Sequence, residues 1–438
     1  MELVAPAGNV EKLKYAFAFG ADSVYIGLKN FSLRAKADNF SFDEYTEIAA
    51  LKEMYAKKAI QKKIFCAVNI SFHNSDLIEL ERNIAYIKNY PIDAFIVQDI
   101  GAAKLLQKYF PATPLHLSTQ ANCCNAEAAR VYWNLGFTRI VLARELSLAE
   151  IAEIKAAVPE MQLECFVHGS MCMSYSGRCL ISAYLTGRSA NAGACANSCR
   201  WNYRLFGKKT SALADTDIQD FENNMEFAVE ESERKGEYFP VEEGENYTAL
   251  FSSKDLCMID FLPEMKKAGV DAVKIEGRMK SLYYTALVTR AYRKKIDVLD
   301  GKISEADAVP FIAELYNTQH REFGTGFYFS PEDANKTTKG SSDSRYTMLG
   351  TLGACVGGDG KKKRFVLNAL NKFTAGTEIE FIGPNTVGLA TKHYRLINPE
   401  NGEPLDWVCH GHDCLIETEL PVADSYILRC ITKQDSFT

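Results

Sequence analysis

The sequence predicts an α/β chain: a (β/α)8 TIM-like barrel over residues 1–300, followed by an antiparallel β-domain, a small barrel of its own, over residues 345–438. Three observations predict it. Short apolar runs alternate with amphipathic stretches eight times, no glycine fingerprint follows the first run, and after residue 345 short runs of alternating polarity lie between Gly, Asn and Asp turns. Apolar runs separated by helical patterns mark βαβ units, and eight such units favour a closed barrel over an open doubly wound sheet.

In order, ELVAP is followed by the helical pattern NVEKLKYAFAFG, SVYIG by FDEYTEIAALKEMYAKKA, IFCAVN by LIELERNIAYIKNY, and AFIVQD by IGAAKLLQKYF. PLHLS and RIVLA precede NAEAARVYWNLG and SLAEIAEIKAAV; QLECFVH is the seventh run, and DAVKIEG with YTALVTRAYRKKIDVLDG is the eighth unit. Between the last two, residues 210–247 hold twelve acids and two bases, a local charge of −10 against a formal total of −6, so the rest of the chain carries +4. Such a segment reads as a solvated surface insertion, with gating of an anionic ligand as the sharper alternative. A helical linker over 301–344 leads to YTMLGTLGACV, KKRFVLNAL, TEIEFIG and SYILRCI, strands of the final domain.

A chain of 438 residues with 47% hydrophobic and 24% charged content buries a large core. No apolar run of membrane-spanning length and no basic start followed by an apolar stretch occurs, which predicts a cytoplasmic protein with no membrane partner. Thiols stay reduced in that compartment. Thirteen cysteines therefore predict no disulfide framework, but metal or redox work where they cluster.

They cluster in the Gly- and Ser-rich loop 166–201, as Cys172, Cys179, Cys195 and Cys199, with the spacing Cys-x6-Cys-x15-Cys-x3-Cys. Four soft thiolates with no histidine inside the set fit zinc or an iron–sulfur cluster. The loop leaves the C-terminal end of the seventh strand, the face on which barrel enzymes build their sites. Cys66 and Cys165 lie inside strand patterns and read as core. Other strand ends on that face offer Asn69, Gln98, Asp99, Gln120, Arg144 and Glu145 as substrate contacts, and His116, Ser118 and Gln120 share a face in HLSTQ. In VKIEGR, Lys274 and Glu276 are two apart, with Arg278 just beyond. Either they form a structural ion pair, Lys274–Glu276 or Glu276–Arg278, or the cations hold a carboxylate or phosphate oxygen. Glu276 and His168 are the candidate catalytic residues, His168 as a proton donor or as a hydrogen-bond partner to a thiolate. Lys361, Lys362, Lys363 and Arg364, with Lys372, read as solvated charge or as phosphate contacts to RNA. CHGHDC reads as a polar hairpin turn, and HExxH, GxSxG and P-loop motifs do not occur.

FVHGSMCMSYSGRCLIS closely resembles the signature of the U32 peptidase family, a label inherited from collagenase-like members. APAGN, GADSVYIG, VNISFHN, LSTQANCCN, LARELS, GACANSCRW and VKIEGRMKS resemble its other blocks, so the resemblance covers the whole barrel. Within the family, GACANSCRW, VNISFHN, SSKDL and the LNALNKF of the last domain are most similar to the prephenate-dependent tRNA uridine hydroxylase branch. The resemblance implies tRNA as partner, 5-hydroxyuridine at the wobble position as product, prephenate as co-substrate, and a 4Fe–4S cluster on Cys172, Cys179, Cys195 and Cys199. Prephenate is a dicarboxylate, which suits Lys274, Arg278 and Arg144. SSKDLC adds Cys257, which has no counterpart in that branch and competes for the place of fourth ligand. A collagenase-like peptidase and a scaffold shaped by a bound metal are the alternative functions.

Overall fold

Eight parallel strands form the core of the computed structural model, which describes residues 1–28, 40, 44–172, 174–200, 228–230, 238–240, 242–244, 247–249, 253–330 and 345–432. They are β1 Glu2–Pro6, β2 Ser23–Gly27, β3 Lys63–Val68, β4 Ala94–Val97, β5 Leu115–Leu117, β6 Phe137–Val141, β7 Gln162–Ser170 and β8 Ala272–Ile275. Each pairs with the next except that β8 pairs with both β7 and β1, which closes the barrel. Helices cover the outside, so the strands are buried on both faces; SVYIG and AFIV are buried at every position. Caps placed just after strand ends start these helices. The Asn9 side chain accepts from Lys12 N at 2.9 Å, Asp99 from Ala102 N at 2.8 Å, and Ser147 forms a capping box with Glu150.

The barrel interior holds a charge network in its lower layers. Arg139 of β6 and Lys274 of β8, each 3% exposed, reach Glu164 of β7 at 3.0 and 2.7 Å. Arg139 also donates to Gln162 Oε1 at 2.8 Å and to Glu2. Burial by itself would raise the Glu164 carboxyl, but Lys274 and Arg139 hold it down to about 2. Lys274 pairs across strands with Glu164 rather than along β8 with Glu276, and Glu276 makes a cross-strand pair with Arg144. The reason is geometric, since a neighbouring strand is only about 4.8 Å away, closer than the next same-face residue on one strand.

Outside the barrel, Asp255–Cys257 runs antiparallel to β7 and carries Phe323–Gly324 on its other edge. Residues 301–344 thus contain a helix, Glu305–Ala313, a 3-10 turn, Glu314–Asn317, and that short strand, while 331–344 lie outside the described residues. Most of the acidic insertion 210–247 also lies outside them; within it Ala228–Glu230 pairs with Tyr238–Pro240, and Glu242–Gly244 pairs with Tyr247–Ala249 at its end.

The C-terminal domain is a seven-stranded antiparallel sheet in the order Thr386–Thr391, Ile379–Gly383, Ile427–Ile431, Tyr346–Asp359, Lys362–Ala369, Leu415–Thr418, Arg395–Ile397. No ladder joins its two outer strands among the described residues. Ile382 and Ile427 pack on Phe19, Leu282, Tyr283 and Leu287 of the barrel helices. Beside them the fully buried Arg429 donates to Glu314 Oε1 at 2.9 Å, Glu380 at 2.9 Å and the Tyr283 hydroxyl at 2.7 Å. Arg290 donates across the same junction to the carbonyls of Gly383 and Thr386 at 2.7 and 2.9 Å. No helix among the described residues is long and apolar enough to cross a membrane.

Candidate active site

The C-terminal ends of the barrel strands and the cysteine loop enclose two adjoining cavities. The smaller, about 70 Å³, is lined by Asn69, Gln120, Arg144, Lys274, Glu276 and Arg278, with Tyr25, Ser118 and Phe166. The larger, about 350 Å³, is lined by all four of Cys172, Cys179, Cys195 and Cys199, with Tyr175 and Lys280. Gln120, Arg144 and Glu276 line both and form the boundary between them.

At that boundary Arg144 donates to Glu276 at 3.3 Å and lies 4.1 Å over the Phe166 ring. Lys274 sits deeper, bound to Glu164, with its ammonium 4.4 Å over Tyr25. Arg278 is 4% exposed and its backbone is close to β1: a Cβ at Gly8 would run into the Arg278 carbonyl, so the APAGN segment needs glycine there. Asn69 donates to the Ser118 hydroxyl at 3.2 Å. Gln98 and Asp99 are not in either lining. Gln98 instead holds the Asn69 carbonyl at 3.0 Å and Ser71 Oγ at 3.3 Å, and Asp99 serves as a helix cap. The strand Leu115–Leu117 takes in only the first two residues of HLSTQ; Ser118 caps a 3-10 turn, Thr119–Ala121, so Ser118 and Gln120 reach the small cavity while His116 stays buried beside Phe65.

His168 is not at the mouth. Simple alternation along β7 would place it with Glu164 and Phe166 inside the barrel. The β7–β8 register shifts between Lys274 and Ile275, pairing His168 with Ile275 and turning its ring to the outer side. There it is 1% exposed, surrounded by Tyr284, Tyr292 and Phe323, with Nδ1 3.4 Å from the Tyr292 hydroxyl. Burial, aided by His320 and Lys280, pushes its imidazole down to about 3. A neutral, sealed ring lacks the access that either role expected of it requires.

The cysteine loop is pinned to the barrel by contacts between distant segments. Gly177 has φ +74°, and a Cβ there would collide with the Gln120 carbonyl. Glu145 accepts from Ser176 N and, at 3.2 Å, from Ser176 Oγ. Ser71 N donates to the Asn191 carbonyl at 2.9 Å, and the Asn191 side chain donates to the Cys179 carbonyl at 3.3 Å. Ser182, 1% exposed, donates to the Arg188 carbonyl at 2.7 Å and accepts from Ala196 N at 2.9 Å. Ser182 and Asn191 therefore tie the two halves of the cysteine set together. Sequence reasoning missed both, since nothing in their spacing marks them.

Among the described residues no three His, Cys, Asp or Glu side chains are gathered closely enough to hold one metal ion. Four thiols around one cavity of about 350 Å³ do match a multi-atom iron–sulfur cluster in donor chemistry and in room. Cys257 does not line that cavity. Its sulfur lies 3.9 Å from the Tyr292 hydroxyl, and burial pushes its thiol up to about 11, away from the thiolate a ligand must be.

The profile of peptidase family U32 matches residues 8–338. The chain is 35% identical over 401 residues to tRNA hydroxylation protein P of Escherichia coli, covering 87% of this chain and 86% of the relative. It is 34% identical over 418 residues to tRNA hydroxylation protein P1 of Bacillus subtilis, covering 93% and 89%. It is also 30% identical over 339 residues to a protein named Collagenase from Porphyromonas gingivalis, covering 75% and 73%.

Proposed function

We propose, from the premise that this chain belongs to peptidase family U32, that it is a tRNA-hydroxylating enzyme. The finer reading is that it places 5-hydroxyuridine at the wobble position, using prephenate as co-substrate and a 4Fe–4S cluster. The observation that carries it is the shared boundary: four thiols line a cavity that meets, at Arg144 and Glu276, a second cavity lined with cations. Relatives named for tRNA hydroxylation span nearly the whole chain and support the same reading.

Cys172, Cys179, Cys195 and Cys199 would hold the cluster, which supplies electron transfer when bound. Arg144 and Arg278 present guanidinium forks to carboxylates, and the long Arg144–Glu276 contact can exchange for an incoming carboxylate. Asn69 and Gln120 carry amides that match the edge of an extruded uracil. Glu276, a carboxylate at the boundary of both cavities, is the candidate general base. On the C-terminal sheet, Lys361, Lys362 and Lys363 are exposed at the start of a strand, whereas Arg364 is bound to Glu417 at 2.7 Å; the three lysines suit RNA phosphates. A peptidase needs a base beside its nucleophile, and His168, the histidine nearest the cysteines in sequence, is sealed on the other side of β7.

Mass spectrometry of tRNA nucleosides from a strain lacking the protein tests the reading. We expect loss of 5-hydroxyuridine derivatives, and the same loss when aromatic biosynthesis is blocked before prephenate. Normal levels, with no second enzyme of this kind in the cell, would sink it. Iron and acid-labile sulfide analysis of anaerobically purified protein tests the cluster: single Cys→Ser changes at 172, 179, 195 and 199 should remove its visible absorbance and Cys257→Ser should not.

A further inference from the structure

We propose that the cysteine loop is itself an RNA-binding surface, on which Tyr175 and Tyr184 stack the unpaired bases flanking the one that enters the cavity. The proposal rests on the tRNA reading above and adds the surface that performs it.

The first observation is exposure. Tyr184 is 89% exposed, Leu180 74% and Tyr175 67%, within one short segment of the loop. Single exposed apolar residues need no explanation, but several together at the rim of a cavity do. Leu180 and Tyr184 are four apart, the former capping and the latter inside the helix Ile181–Thr186, so they share its outer face. Ile181 and Ser182 of the same helix line the large cavity, as does Tyr175. The aromatic surface thus runs from the cavity wall outward over the helix.

The second observation is charge. Residues 166–201 contain three arginines, Arg178, Arg188 and Arg200, and neither Asp nor Glu, in a chain whose net charge is −6. Lys280 adds a further cation to the cavity wall. A partner that offers flat apolar faces and a uniformly negative backbone is single-stranded nucleic acid, which aromatic platforms and cations recognise together. A protein partner would share the apolar faces but gives no reason for the loop to exclude acids. Placement adds the geometry. A base that reaches Asn69 and Gln120 at the smaller cavity passes the cysteine loop and leaves its neighbours unstacked at the rim, where the tyrosines stand.

The test uses full-length, anaerobically purified protein and a fluorescently labelled RNA stem–loop carrying an anticodon loop sequence. Tyr184→Ala and Tyr175→Ala should each weaken binding about tenfold, while Tyr184→Phe and Tyr175→Phe, which keep the ring, should stay within about twofold of wild type. Unchanged cluster absorbance in the variants shows that the loop is intact. Replacing the loop bases by abasic sites should erase the difference between Tyr and Ala. Wild-type affinity in both Ala variants, or equal losses in the Ala and Phe variants, overturns the proposal while leaving the tRNA reading in place. A wild-type protein that does not bind the stem–loop overturns both. If Tyr184→Ala instead splits a dimer in sedimentation without changing RNA affinity, the surface is a contact between copies of this chain and the proposal fails.

Discussion

Two sets of charges face the barrel interior, and they differ in what completes them. In the lower layers Arg139, Glu164 and Lys274 complete one another at 3.0 and 2.7 Å and are buried, with Lys274 also bordering the smaller cavity. At the mouth Arg144 and Glu276 meet at 3.3 Å and line two cavities. Burying charge is costly unless geometry and partners offset it. The lower set offsets that cost within the protein, which makes it part of the fold. The mouth set borders open space in both cavities, where a ligand can reach it.

The largest effect should come from breaking the lower set. Glu164→Ala strips two buried cations of their shared partner and should cost about 3–5 kcal/mol in urea unfolding. A near wild-type midpoint would mean that Arg139 and Lys274 find other partners, and the distinction between the two layers would collapse. Acid should act on the same group. Because the Glu164 carboxyl is held down to about 2 from an ordinary 4.5, its contribution is complete above about pH 4.5 and is lost as pH falls toward 2.

A middle-sized effect separates His168 from the mouth. Its folded-state imidazole lies at about 3 against an ordinary 6.5, so the unfolded chain binds the proton first and stability falls as pH drops below 6.5. Between pH 7 and pH 5 wild type should lose roughly 2 kcal/mol through this group, and His168→Phe should remove that part of the slope, leaving what the likewise buried His116 adds, while keeping the cluster absorbance. An unchanged slope would mean that the ring is accessible and charged, and would return it to the list of catalytic candidates.

How much of this was legible in the sequence follows from what a linear pattern records. The eight strands were legible because strands covered on both faces are written as uninterrupted apolar runs, and the helices because their period differs. The set of cysteines was legible as four thiols in one loop. Partners across strands were not, since spacing along VKIEGR says nothing about Glu164 or Arg144 on β7 and after β6. His168 was misplaced by a single register shift, which reverses the side of the sheet that a residue faces. Ser182 and Asn191 were missed because their bonds join backbone groups of separate segments, as Asn191 does with Ser71 and Cys179.

The smallest effect on stability should belong to the pair whose loss matters most for chemistry. The Arg144–Glu276 contact is long and both residues border open cavities, so Arg144→Met or Glu276→Gln should shift unfolding by only about 1 kcal/mol. Neither change touches a thiol, so cluster absorbance should persist in both. If the boundary between the cavities is where substrate is held, Arg144→Met should nevertheless abolish tRNA modification in cells, because it removes a bidentate anion contact and the cation resting on Phe166. Arg144→Lys keeps the charge without the fork and should recover part of the activity at most. Glu276→Gln keeps the shape and loses the basic oxygen, so it should depress turnover more than substrate affinity. Stability losses as large as that of Glu164→Ala would place this pair with the lower set, as structure rather than site.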